Sequence, residues 1–174
     1  MLVKLLLDMD INILKGTYFV YCSDKNLIKY CSLPNKELEL ALLVHEIGHI
    51  KYSTNNFELI LKGSIQEMKQ QKELFLILED LRVDTLLLEE FKGFKNYYQE
   101  IAGSLYEFSE EALSSKFNNI LLNLFRIFCG HAYQGAYQDI FKTIYPLFVK
   151  AIRATDTEKC FKISQKMYPY LISN

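Results

Sequence analysis

The chain has no tryptophan, and only three prolines and seven glycines among 174 residues. So few breakers predict long, uninterrupted helices. No stretch approaches the ~20 consecutive apolar residues of a membrane span. The apolar segment "NILLNLFRIF" is too short and contains Arg126. The apolar opening "MLVKLLLDMDIN" is broken by Asp8 and Asp10. It stops short of a signal-peptide core and shows no small-residue cleavage site. Four cysteines (Cys22, Cys31, Cys129, Cys160) form no CxxC pair, so free thiols are expected rather than a disulfide framework. Net charge is −1 and lysines are dispersed, which argues against a nucleic-acid footprint. These absences predict a soluble, cytoplasmic protein with neither nucleic acid nor membrane as partner. Half the residues are hydrophobic, and the length suits one domain with a proper core.

The only β-like pattern lies in residues 2–22, where "KLLLDMDINIL" and "GTYFVYCS" flank Lys15-Gly16. It predicts a hairpin or two short strands. A helix is expected over about 34–52, capped by Ser32 or Asn35, with Pro34 in its first turn. Residues 57–70 read as a helix weakened at Gly63. "KELFLILEDLRVDTLLLEEF" reads as a strong helix ending before Gly93, and 94–108 as a short one. Three more helices follow: one capped by Ser109 and ending at Gly130, then "AYQDIFKTIYPLFVKAIRA", then "TDTEKCFKISQKMYPYLIS". The last opens on a capping box, Thr155 with Glu158. The expected fold is mainly α (α+β): a single domain over 1–174, with strands and site helices in 1–92 and a helical bundle in 93–174.

Two of the three histidines fall in "LLVHEIGHIKYST", residues 42–54. His45 and His49 are four apart, so a helix stacks them on one face. Imidazoles so placed can grip one zinc ion. Glu46 lies about 100° around the helix from His45. It is badly placed as an equal ligand, but well placed to take a proton from a zinc-bound water. Gly48 admits a close neighbour beside the site, at a helix cost of ~1 kcal/mol relative to alanine. The rival is a pair of core histidines without metal. It fits poorly with a helix as apolar as "LELALLVHEIGHI", where two imidazoles and a carboxylate need partners.

Catalytic zinc usually takes three protein ligands. His131 is one candidate for the third. The acidic cluster Glu79, Asp80, Arg82 and Asp84, set between "LFLIL" and "LLL", is a better one. Asp80 and Asp84 share a face at i,i+4. One can bind metal while the other hydrogen-bonds the outer nitrogen of a ligating histidine. Glu79 is the alternative ligand, with Arg82 then paired to Asp80 or Asp84.

"HEIGHIKYS" followed by "LILEDLRVD" resembles the metallopeptidase domains of VWA-linked proteins related to cobaltochelatase CobT. That family carries an HExxH helix trailed by an aromatic and a Ser/Thr, then a helix of the type N-I-x-E-D-x-R-I-E. Tyr52 and Ser53 match the first trailer, and Glu79, Asp80, Arg82 and Asp84 match the second motif. Phe75 or Leu76 stands where the family has asparagine. The resemblance spans roughly residues 17–92 and favours Asp80 as third ligand. It implies a zincin-type, zinc-dependent peptidase with Glu46 as general base. It also gives "GTYFVYCS" the role of an edge strand for extended substrate. His131, Tyr133 and Tyr137, bracketed by Gly130 and Gly135, are candidate oxyanion stabilisers. The family's domain pairings imply an alternative: a non-catalytic or latent zinc-binding adaptor for an AAA ATPase or VWA partner.

Overall fold

In a computed structural model, the described residues are 11–17, 20–22, 27–53, 69–94 and 115–173. They form β1 (Asn12–Lys15), β2 (Val20–Cys22), β3 (Leu27–Tyr30), α1 (Lys36–Tyr52), α2 (Lys69–Glu90), a 3-10 turn (Lys92–Phe94), α3 (Lys116–Phe128), α4 (Gln138–Ile152) and α5 (Thr157–Ile172). The protein is mainly helical with a small sheet near its N-terminus, as the sparse breakers predict. No helix among the described residues is long and apolar enough to cross a membrane. The helices expected over 57–70 and 94–108, and the Ser109 cap, lie almost wholly outside the described residues.

The sheet has the order β1-β3-β2. The two expected strands are present but do not pair with each other. β3 lies between them, parallel to β1 and antiparallel to β2. The segment "LIKY" carries no clear alternation and follows the charged "DKN", so its propensity alone does not announce a strand. Position decides it. Ile28 is fully buried against Ile47 of α1, with Ile11, Leu43 and Ile50 around them. The sheet thus roofs the first helix.

Asn35 starts α1, its side chain accepting hydrogen bonds from the backbone N–H groups of Glu37 and Leu38 at 3.0 and 3.1 Å. Ser32 instead accepts a bond from Lys36. The buried face of α1 is Ala41, Val44, Ile47 and Gly48, a helical three-and-four spacing. The other apolar residues of this helix are half-buried.

α2 is the structural axis. Leu74, Phe75, Leu78 and Leu81 join Phe117, Ile120 and Leu124 of α3, Phe141, Ile144 and Phe148 of α4, and Phe161 and Met167 of α5 in one core. The opposite side of the same helix meets α1. α5 is capped by Asp156, whose carboxylate accepts from the Lys159 N–H at 2.8 Å. The expected cap, Thr155, donates its hydroxyl to Asp156 instead. An ionised carboxylate is the stronger acceptor for that N–H and suits the positive end of the helix.

Gly48 sets the distance between α1 and α2. A Cβ there would lie 2.6 Å from Val83 Cγ1, and Val83 is fully buried. A β-branched side chain in a packed core has no free rotamer to retreat into. We expect Gly48→Ala to destabilise by about 1–3 kcal/mol despite its gain in helix propensity. A denaturant midpoint equal to or above wild type would contradict the close-packing account.

Candidate metal centre

Helix α1 presents His45 and His49 to the middle of α2. The ring centroids are 4.7 Å apart and nearly perpendicular. Their inner nitrogens converge, Nε2 to Nε2, at 3.1 Å. Asp80 Oδ1 lies 3.2 Å from His49 Nε2. One ligand atom from each of His45, His49 and Asp80 lies within 4.8 Å of the other two, and all three residues are partly buried. This group could hold a metal ion.

The outer nitrogens explain the inner ones. His45 Nδ1 lies 2.8 Å from Asp84 Oδ1. A carboxylate only accepts, so the proton sits on Nδ1. His49 Nδ1 lies 3.0 Å from Ser53 Oγ, and Ser53 donates its own proton to Glu79 Oε1 at 3.1 Å. Ser53 therefore faces His49 with a lone pair, and His49 too carries its proton on Nδ1. Two Nε2 lone pairs then point at one another, a repulsive pairing unless a cation lies between them. Two nitrogens on one tetrahedral zinc, with bonds of 2.0–2.1 Å, would be about 3.3 Å apart. The donor set fits a metal.

Without a metal, a proton answers the same need. Burial alone pushes the His45 imidazolium down, but the charge and hydrogen bond of Asp84 overcome this. With Asp80 and Glu46 adding their fields, His45 rises from an ordinary 6.5 to about 10.

The acidic cluster divides by face. Asp80 and Asp84, one turn apart, look toward the histidines. Glu79 looks the other way: fully buried, it accepts from Arg82 Nε at 2.7 Å and Arg82 Nη2 at 2.6 Å. Thr157 of α5 donates to it at 2.8 Å. Arg82 pairs with Glu79, not with Asp80 or Asp84, and its Nη2 also reaches the carbonyl of Tyr52 at 2.9 Å. Among the described residues the geometry groups Asp80, not Glu79, with the histidines. Glu46 follows His45 on the flank of α1, partly buried.

Tyr52 and Ser53 acquire a physical meaning here. Ser53 is the C-cap of α1, its N–H returning to the His49 carbonyl, and its hydroxyl orients His49. Tyr52 donates to Glu90 at the end of α2, and Lys51 pairs with the same carboxylate. These two contacts tie the helix ends together.

His131, Tyr133 and Tyr137 are not bonded to this cluster among the described residues. They lie on the turn between α3 and α4. Two buried asparagines clamp that turn: Asn123 exchanges hydrogen bonds with Gln134 N–H and carbonyl, both at 2.8 Å. Tyr133 donates to Asn119 at 2.7 Å. His131 is exposed, and its backbone N–H closes onto the Arg126 carbonyl at 2.8 Å. Tyr137 occupies the cap position of α4. Gly135, at φ +120°, has no room for a Cβ beside Asn119. The glycines that bracket these residues therefore serve the turn. Cys31, Cys129 and Cys160 are free thiols, and burial raises Cys129 to about 11.

Compared with family models, curated proteins and solved structures, the chain finds no match.

Two outcomes follow from this geometry. Asp84→Ala should weaken metal binding about 10–100-fold, read by competition against a chelator, and Asp80→Ala should weaken it further. Unchanged affinity in Asp80→Ala would remove Asp80 from the ligand set. In metal-free protein, His45 contributes stability that is complete below its unfolded value near 6.5 and is lost as pH rises through about 10. Unfolding free energy should fall across that window and be flatter for His45→Gln. Equal pH slopes for the two proteins would contradict the raised value.

Proposed function

We propose that this chain is a zinc-dependent peptidase. The observation that carries the reading is the convergence of His45 Nε2, His49 Nε2 and an Asp80 oxygen, with Glu46 one residue from His45. Two imidazoles and a carboxylate suit zinc, and three protein ligands leave one coordination position open, as in catalytic rather than structural sites. Bound zinc would supply Lewis acidity, polarising a peptide carbonyl and lowering the pKa of a water.

The rest falls to the chain. His45 and His49 would hold the ion through Nε2, with Asp84 and Ser53 favouring that tautomer. Asp80 adds a negative charge on the α2 side. Glu46 takes the proton of the attacking water and returns it to the departing amine, a role worth about 10²–10⁴ in rate. β2 forms an edge of the sheet and packs beside α1. An extended peptide added to that edge would run alongside the histidine helix, its backbone held by strand-type hydrogen bonds. Glu46 separates this reading from a purely structural metal site, which has no need of a base beside the ligands.

Wild type and Glu46→Gln should bind equal amounts of zinc by elemental analysis. Hydrolysis of a quenched-fluorescent peptide library should fall at least about 100-fold in the variant. A wild type that takes up no metal would sink the proposal. Two proteins that both bind zinc and cut nothing would leave the adaptor reading, with an ATPase or VWA partner sought by pull-down.

A further inference from the structure

Glu79 is the meeting point of three distant segments. Its Oε1 accepts from Ser53 at the end of α1, from Thr157 at the start of α5, and from Arg82 Nη2. Its Oε2 accepts from Arg82 Nε. Thr157 is fully buried and occupies the first position of its helix. Its hydroxyl does not cap that helix, because Asp156 does. It is turned inward to the carboxylate, with Arg82 Nη2 behind it at 3.4 Å.

The proton order along this path is determined by chemistry. A carboxylate only accepts, so Thr157 and Ser53 each direct their single hydroxyl proton to Glu79. Ser53 is left with a lone pair for His49, whose Nδ1 must then donate. His49 Nε2 is thereby presented to the metal cluster unprotonated. We propose that Thr157, from the C-terminal helices, is a positioning residue for the metal centre: through Glu79 and Ser53 it fixes the tautomer and aim of His49. The inference rests on the metal-binding reading above, and it makes α5 part of the centre rather than an appended bundle. With Thr157 removed, Glu79 Oε1 loses one of its three donors. The carboxylate is freer to rotate about its Arg82 contacts, and the Ser53–His49 bond loses its fixed reference.

The test compares Thr157→Val, Thr157→Ser, Ser53→Ala and Met167→Ala in the full chain. Met167 is buried in the same helix and serves as a control for general loosening. Thr157→Val should bind Co²⁺ at least about 10-fold more weakly than wild type. Imidazole ¹⁵N shifts should show His49 moving from a pure Nδ1–H form to a tautomer mixture. Thr157→Ser should restore both, and Met167→Ala should keep wild-type Co²⁺ affinity at a comparable loss of stability. Wild-type affinity and unchanged ¹⁵N shifts in Thr157→Val would overturn the proposal, as would equal weakening by Met167→Ala. Where Thr157→Val does not fold, Ser53→Ala decides. It interrupts the same path at the half-buried end of α1, and unchanged affinity and tautomer there break the link to His49. A wild type that binds neither Co²⁺ nor Zn²⁺ overturns the peptidase reading, while the ¹⁵N comparison on metal-free protein still decides the relay.

Discussion

The ion pair between Glu79 and Arg82 is the constraint from which the rest of the site is hung. Both side chains are fully buried. An isolated charge in such a place costs many kcal/mol, so each must be compensated where it lies. Arg82 meets Glu79 through two nitrogens and reaches the Tyr52 carbonyl. Ser53 and Thr157 complete the Glu79 side. Arg82 Nη1 alone is buried without a hydrogen-bond partner among the described residues. A buried pair of this kind adds little net stability over well-packed apolar residues, yet losing one partner costs about 3–5 kcal/mol. Its contribution is location. It ties the end of α1, the middle of α2 and the first turn of α5 to a single point.

The two histidines are held by different means. His45 is fixed directly, by a carboxylate one turn along from Asp80 on the same helix. His49 is fixed indirectly, by a hydroxyl that answers to the buried pair. Both arrangements need α1 and α2 to approach closely, which Gly48 permits by leaving its Cβ position to Val83. The same close approach brings Asp80 and Asp84 opposite His45 and His49. Packing and polar chemistry are therefore not separable here. The glycine that sets the helix distance also sets where the nitrogens meet.

Much of the centre is legible from local spacing. The i,i+4 histidines share a face, and carboxylates inside an apolar helix demand a partner. That one of Asp80 and Asp84 can support a histidine from outside follows from their i,i+4 spacing, but which of the two does so depends on the docking of the helices. The choice between Glu79 and Asp80 does not follow from residues alone. Adjacent positions differ by about 100° around the helix, and which one faces α1 depends on how the two helices dock. The partner of Arg82 is hidden for the same reason. Thr157 is invisible from sequence, because nothing near it hints at a buried carboxylate from another helix. β3 escapes notice because "LIKY" becomes a strand by lying between two others over Ile47, a tertiary effect that outweighs weak propensity. The cap of α5 shifts by one residue because aspartate competes for the same N–H as threonine. His131, Tyr133 and Tyr137 look like chemistry in the sequence, yet they are explained by a turn that two buried asparagines hold in shape.

The hydrogen bond between Thr157 and Glu79 joins residues 78 apart in the chain. Contacts so remote close late, after the local helices have formed. During synthesis at about 5–20 residues per second, roughly 4–16 s separate the making of one partner from the other. Through that interval the nascent polypeptide already carries both histidines and Asp80, but not the helix that steadies them. Under the proposed reading, a centre whose alignment depends on α5 would be complete only once that helix has docked.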